Sequence, residues 1–118
     1  MANEVAWVEV VGKDGEKLKS FYGDLFGWKV EKVPGDMPYW THMPEGGGVG
    51  AGVGQSPDGQ DHVTFYVGAD DPQTVLDKAE QLGGKTVMPV TEMEMVTFAL
   101  FTDPEGNLIG VAGPAQPT

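Results

Sequence analysis

Two residues of this chain carry side chains suited to proton transfer and lie on predicted strands: Glu9 and His62. Imidazole and carboxylate groups are common general acids and bases, and histidine titrates near neutral pH. Glu9 interrupts the otherwise apolar run 5–11, where an unpaired buried carboxylate would be costly. We therefore expect Glu9 to face a groove or a solvated edge, and His62 to be either a catalyst or a hydrogen-bonded structural residue.

Three further residues share a predicted strand face with this pair. Strand alternation places Trp7 on the side of Glu9, and Thr64 and Tyr66 on the side of His62. We predict Glu9 and His62 as catalytic residues and Trp7, Thr64 and Tyr66 as ligand-binding residues, with the aromatic rings offering stacking surface. The opposite faces carry apolar rows that we expect to pack under helices: Ala6, Val8 and Val10, then Val63, Phe65 and Val67.

Two predicted helices must position these strands. The first begins near Asp14 and stops at Gly27, with apolar residues at helical spacing: Leu18, Phe21, Tyr22, Leu25 and Phe26. The second begins at residues 70–72 and ends at Gly83, with Val75, Leu76, Ala79 and Leu82 as its predicted buried face. The predicted strands are 4–11, 28–33, 39–43, 49–53, 61–67, 85–90, 96–102 and 108–112.

The order strand–helix–strand–strand–strand therefore occurs twice, with an offset of 56 residues that aligns Asp14 with Asp70 and Gly27 with Gly83. Internal repetition of this kind indicates two copies of one supersecondary unit. We predict a single domain over 1–118, of the α+β class, made of two tandem βαβββ modules. The first module is 1–54, the linker is 55–60 and the second module is 61–118.

Composition excludes several kinds of protein. The net charge is -11, and no arginine or cysteine is present, which removes disulfides, thiolate metal sites and the usual cationic contacts to nucleic acid. No apolar run is long enough to span a membrane, and the N-terminus does not resemble a secretion signal. We expect a soluble cytoplasmic protein without nucleic-acid or membrane partners. Its charge favours a neutral or cationic small-molecule ligand.

The duplicated plan resembles the vicinal oxygen chelate superfamily, which includes glyoxalase I, bleomycin resistance proteins and extradiol dioxygenases. The matching pieces, in order along nearly the whole chain, are Phe21-Tyr22-Gly23-Asp24-Leu25-Phe26-Gly27-Trp28, Leu82-Gly83-Gly84-Lys85 and Asp103-Pro104-Glu105-Gly106-Asn107. This resemblance implies a curved mixed sheet whose concave side holds the site, and a homodimer.

The resemblance also implies metal ligands on the first and last strand of each module. The corresponding positions in this chain are Trp7, Ala51, Thr64 and Gly110, which lack the imidazole and carboxylate groups that divalent metals prefer. Glu9 and His62, two positions away on the same strand faces, supply only two of the three protein ligands that a catalytic site usually keeps. We expect the usual ligand set to be lost and no cofactor to be required, while a divalent metal at a displaced site stays possible.

Two functions follow from these features. The first is a glyoxalase/bleomycin-resistance-like protein that binds a small, neutral or cationic, partly aromatic molecule in the concave cleft. The alternative is a lyase, isomerase or dioxygenase with a displaced metal site, or with metal-free acid–base chemistry through Glu9 and His62. The residues leave open whether the chain is an enzyme.

Overall fold

The computed structural model describes residues 3–56, 61–93 and 96–114. The elements are β1 (Val5–Gly12), α1 (Gly15–Phe26), β2 (Glu31–Lys32), β3 (Tyr39–His42), β4 (Gly50–Gln55), β5 (His62–Gly68), α2 (Pro72–Gln81), β6 (Lys85–Glu92), β7 (Val96–Thr102) and β8 (Leu108–Pro114). This order confirms the α+β class and the two tandem βαβββ arrangements. Within the described part of the chain, no helix is long and apolar enough to cross a membrane.

The helix ends follow from local sequence. Asp14 caps α1, because its carboxylate accepts a hydrogen bond from the backbone N–H of Lys17. Gly27 ends the helix in the left-handed conformation, with φ of 74°, which glycine adopts without steric cost. Asp71 caps α2 in the same way as Asp14, and Pro72 occupies the first turn, where its missing N–H is not needed.

The described residues form two compact units, and the first of them, here called the first unit, is Ala6–Thr64. Its strand order is β2-β3-β4-β1, with β1 parallel to β4 and β3 antiparallel to β2 and β4. Helix α1 packs against β4. One face of β4 is therefore buried through Ala51 and Val53, together with Trp40 of the neighbouring strand.

The second unit contains the remaining described residues. Its strand order is β5-β8-β7-β6, with β5 parallel to β8 and the other two pairs antiparallel. Helix α2 packs on β6, β7 and β8, and the core of this unit consists of Leu76, Ala99 and Val111. Each unit contains one parallel strand pair and two antiparallel pairs, and each ends in the three-strand meander that the sequence predicts.

The predicted burial of the apolar row on β5 is wrong. Val63 is 74% exposed and Phe65 is also exposed, whereas Thr64 and Tyr66 on the opposite face are buried. The reason lies in helix placement, because α1 packs against β4 and α2 packs on β6, β7 and β8. The apolar residues of β5 are left partly uncovered, and alternation alone does not reveal which face a helix will cover.

Helix α1 also departs from its predicted burial. Its apolar residues recur at helical spacing, yet Phe21, Leu25 and Phe26 are exposed while Leu18 and Tyr22 are half-buried. In α2, the last predicted core position, Leu82, is exposed because it lies at the helix end. The strand predicted at 28–33 is limited to β2, and residues 57–60 of the predicted linker lie outside the described residues.

Candidate functional site

The candidate site of the first unit is built on the glycines of β4. Gly50, Gly52 and Gly54 alternate with Ala51 and Val53, so one face of this strand carries no side chains. The other face is buried through the alanine and the valine. A bare strand face leaves room for large side chains from the two neighbouring strands, β1 and β3.

Two aromatic rings fill that bare face from opposite sides. Trp7 is the register partner of Gly50 on β1, and Tyr39 is the register partner of Gly54 on β3. The rings meet over Gly52, where an added Cβ would overlap the Tyr39 hydroxyl and lie 2.8 Å from Trp7 Nε1. The indole N–H donates a hydrogen bond of 2.9 Å to the Tyr39 hydroxyl oxygen. Glycine at position 52 is thus required for this contact.

Glu9 lies beside this aromatic pair, opposite Gly52 in the β1–β4 register. Its side chain is 12% exposed, and a carboxylate so far removed from water requires polar partners. The Tyr39 hydroxyl donates a hydrogen bond of 3.2 Å to Oε2, and His62 Nε2 lies 3.4 Å from Oε1. Both carboxylate oxygens therefore have a partner, which explains how an acidic residue is accommodated on an apolar strand.

The hydroxyl of Tyr39 stays protonated at neutral pH. Burial raises the pKa of Tyr39 well above its ordinary value, and the negative charge of Glu9 raises it further. The hydrogen bond from Trp7 acts in the opposite direction but is a smaller effect. The phenol is therefore a hydrogen-bond donor to the carboxylate rather than a second negative charge.

His62 belongs both to this cluster and to a neighbouring cleft. Its side chain is 27% exposed, so a small molecule can reach the ring. The cleft has a volume of about 400 Å³ and lies where the start of α1 faces the end of β1 and the start of β5. Apolar and charged residues line it together: Val10, Val11, Gly12, Lys13, Asp14, Lys17, Leu18, Asp61, His62 and Val63.

The structure brings together part of the predicted site. Glu9 and His62 are in contact, and Trp7 joins them through Tyr39. Thr64 is buried on β5 in the first unit. Tyr66 belongs to the second unit, where its ring lies over Gly110 of β8 and its edge approaches Phe98, with ring centroids 6.5 Å apart.

Tyr39 is the site residue that the sequence interpretation missed. The sequence predicts Tyr39 within the strand 39–43, but nothing in its own neighbourhood indicates that it bonds to Glu9, which is 30 residues away. The available signal was the period-2 spacing of Gly50, Gly52 and Gly54. A strand with one bare face predicts that its neighbours supply bulky side chains to cover it.

Metal ligation does not fit the donor set of this site. Among residues 3–56, 61–93 and 96–114, no three His, Cys, Asp or Glu side chains are grouped so that they could hold a metal ion. Glu9 and His62 contribute two donors, and the positions that the family resemblance assigns to ligands offer indole, methyl, hydroxyl and hydrogen. Catalytic zinc sites keep three protein ligands, one more than Glu9 and His62 supply.

Comparison with known proteins places the chain in a family. The family model described as a glyoxalase-like domain matches residues 7–112. Over 113 residues the chain is 28% identical to a protein of Mycobacterium bovis named as a putative glyoxylase, covering 89% of this chain and 43% of that protein. The chain thus spans less than half the length of this curated relative.

Two solved structures are similar in fold. Methylmalonyl-CoA epimerase from Mycobacterium tuberculosis has a TM-score of 0.74 at 11% identity, covering 98% of this chain and 93% of the epimerase. The Mn(II)-bound glyoxalase from Novosphingobium aromaticivorans has a TM-score of 0.65 at 20% identity, covering 98% of this chain and 42% of that chain. At these identities the likeness concerns the fold alone. The chain belongs to the glyoxalase-like domain family.

Proposed function

We propose that this chain binds a small, neutral or cationic molecule with an aromatic part at the site of Trp7, Glu9, Tyr39 and His62. The observation that carries the proposal is the 3.4 Å approach of His62 Nε2 to Glu9 Oε1, with the imidazole still partly exposed. A carboxylate–imidazole pair that a solute can reach offers both a charge and a directional hydrogen bond. An aromatic ring close to it offers stacking surface.

The charge of the protein narrows the ligand class. The net charge is -11 and the chain has no arginine, the side chain best suited to bidentate binding of carboxylates and phosphates. The carboxylate of Glu9 at the site itself repels anions. Thr64 and Tyr66 remain proposed ligand-binding residues, as the sequence predicts.

A thermal-shift screen of neutral and cationic aromatic compounds tests the binding proposal. For any compound that raises the melting temperature, we expect weaker binding by the variants Glu9→Gln and His62→Ala. Glu31→Gln is the matched control, because it removes one negative charge from an exposed position of the same unit. If affinity survives both site substitutions while stability falls, the pair is structural and the proposal is wrong.

The alternative is an enzyme that uses Glu9 and His62 for acid–base chemistry. The observation that favours it is the neutral Tyr39 hydroxyl bonded to a carboxylate that also contacts an imidazole, since proton-transfer groups must be oriented by their neighbours. Incorporation of deuterium from heavy water into candidate carbonyl compounds would reveal proton abstraction. The enzyme proposal requires that His62→Ala abolish this exchange and that Glu31→Gln leave it unchanged.

We further propose that the chain needs no metal, although a manganese-bound glyoxalase shares its fold. The proposal rests on the two-donor set of Glu9 and His62. Elemental analysis of the purified protein is expected to find far less than one divalent metal ion per chain. A tightly held stoichiometric metal would overturn the proposal and would favour a displaced metal site.

A cytoplasmic homodimer is the proposed state of the protein. The support for the dimer is the group of exposed apolar side chains on α1, namely Phe21, Leu25 and Phe26, because contiguous exposed apolar surface commonly marks an interaction site. Sedimentation velocity at micromolar concentration is expected to show a dimer that Leu25→Glu converts to monomer. A wild-type protein that sediments only as a monomer contradicts this.

A further inference from the structure

We infer that Trp7, Tyr39, Glu9 and His62 form a directional hydrogen-bond chain that places the proton of a neutral His62 imidazole on Nε2, so that Nδ1 accepts a hydrogen bond from the ligand. The inference rests on the proposed function, because it describes how the binding site selects its ligand. It assigns Tyr39 a positioning role and defines the ligand as one that presents a hydroxyl or an N–H group.

The direction of the hydrogen-bond chain follows from the donor properties of its first residue, Trp7. An indole nitrogen can only donate, so the Tyr39 oxygen accepts the 2.9 Å hydrogen bond from Trp7. The phenolic hydrogen is then directed to Glu9 Oε2, 3.2 Å away. Tyr39 is buried and protonated, so this hydrogen is present at neutral pH.

The last contact of the hydrogen-bond chain determines which nitrogen of the His62 imidazole carries the hydrogen. An ionised carboxylate can only accept, so the contact between Glu9 Oε1 and His62 Nε2 requires a hydrogen on Nε2. In neutral histidine the second nitrogen, Nδ1, then carries a lone pair. The imidazole is partly exposed and also lines the cleft beside α1, so a solute can reach it. A ligand hydroxyl or amine would meet this acceptor, in keeping with an acidic protein.

The variant Glu9→Gln provides the decisive test, because the proposed hydrogen-bond chain predicts that the proton of neutral His62 moves from Nε2 to Nδ1. Tyr39 donates to residue 9, so the glutamine must turn its carbonyl oxygen toward the phenol. Its NH₂ group then faces His62 and donates to Nε2, which must give up its hydrogen. Long-range ¹H–¹⁵N spectra at a pH where imidazole is neutral should show Nε2–H in the wild type and Nδ1–H in the variant.

Three controls make the outcome specific. Glu31→Gln, with the same change of charge, should keep the wild-type tautomer, and His42→Phe identifies the signals of the second histidine. In the double variant Glu9→Gln/Tyr39→Phe the amide loses its orienting donor, so a mixture of tautomers is expected. An Nδ1–H signal in the neutral wild type overturns the inference, whether or not the variants fold. Retention of Nε2–H in a folded Glu9→Gln variant also overturns it.

Phenol and anisole test the ligand class, because they share a ring and differ in their hydroxyl donor. Titrations followed by the His62 signals should show phenol binding about five- to tenfold more tightly than anisole, as expected for one hydrogen bond. The ratio should approach one in Glu9→Gln. Equal affinities for the wild type overturn the assigned ligand class. Failure of both probes to bind counts against the proposed aromatic ligand, whereas the tautomer measurement tests the hydrogen-bond chain independently.

Discussion

The two units share one order of elements but use their last strands differently. In the first unit, β4 has glycine at every second position, and Trp7 and Tyr39 cover the bare face and bond to Glu9. In the second unit, β8 places Gly110 under the Tyr66 ring, while Val111 joins Leu76 and Ala99 in an apolar core. Gly54 and Gly110 occupy equivalent positions of the repeat, and each is covered by a tyrosine ring.

Because of this difference, we expect the second unit to contribute mainly to stability and the first unit to contribute mainly to ligand binding. The second unit buries an aliphatic cluster beneath α2, which is the ordinary way in which a helix on a sheet becomes stable. The first unit leaves three large apolar residues of α1 exposed and has a connected set of polar side chains on the glycine face of β4. We therefore expect core substitutions to be most harmful in the second unit and loss of binding to follow substitutions in the first.

The largest expected effect comes from shortening a leucine in each helix. Leu76 of α2 is 2% exposed, so Leu76→Ala removes buried apolar surface and leaves a cavity, at a cost of about 3 kcal/mol. Leu25 of α1 is 58% exposed within one chain, and at concentrations low enough for the protein to be monomeric Leu25→Ala is expected to change the free energy of unfolding by less than about 0.5 kcal/mol. Denaturant unfolding at equal protein concentration measures both. Equal losses of stability in the two variants would contradict the expectation that α2 contributes more to the core than α1.

The glycine face of β4 provides the next largest effect. In Gly52→Ala the new methyl group overlaps the Tyr39 hydroxyl, so the ring must move, at a cost of about 1–3 kcal/mol. Gly46→Ala is the matched control, since a Cβ there meets open space. We expect Gly52→Ala to lower both stability and ligand binding. If Gly52→Ala leaves the stability unchanged, the rings of Trp7 and Tyr39 do not require glycine at position 52.

Much of the fold was predictable because its signals are local. Asp14, Gly27, Asp71 and Pro72 determine helix ends through their own backbone neighbours, and the meanders follow from alternation and turn residues. The placement of the helices over the strands was not predictable, because it depends on which of two apolar faces is covered. Val63, predicted as core and found exposed, illustrates this limit.

The candidate site was predictable to a similar degree. The contact between Glu9 and His62 agrees with the interpretation that the first strands of the two modules bring their polar residues together. Tyr39 was missed because its role depends on strand register and on the absent side chains of β4. Register between distant segments is a tertiary property that alternation within one strand does not specify.

Two substitutions that each remove a hydroxyl should change stability in opposite directions. Tyr39→Phe removes the hydroxyl to which Trp7 Nε1 and Glu9 Oε2 are each hydrogen-bonded, so we expect the free energy of unfolding to fall by about 1–2 kcal/mol. Thr97 is fully buried on β7, and its hydroxyl has no hydrogen-bond partner among the described residues. Thr97→Val keeps its shape and is expected to gain up to about 1 kcal/mol. Thermal unfolding of both variants measures the signs, and a loss in Thr97→Val would indicate that its hydroxyl is bonded.

The smallest expected effect concerns the turns before the last strands, which differ between the units. In the second unit, Asp103 accepts hydrogen bonds from the backbone N–H groups of Glu105 and Asn107 and from the Asn107 side chain. The corresponding turn of the first unit contains Gly47 and Gly48, both with positive φ, which glycine tolerates.

These bonds, above all those from Asn107, lower the pKa of Asp103 below its usual value of 3.8. Because the folded-state pKa is lowered, the ionised carboxylate stabilises the fold fully at pH values above its usual pKa. This contribution is lost as the pH falls through the folded-state pKa. Asp103→Asn should therefore be slightly less stable than the wild type at neutral pH, and the difference should shrink in acid. Glu105→Gln removes the same charge from the same turn and should stay close to the wild type at neutral pH. Chemical unfolding from pH 7 to pH 3 measures the difference, and a gap between Asp103→Asn and the wild type that stays constant over this range would show that the carboxylate charge does not stabilise the turn.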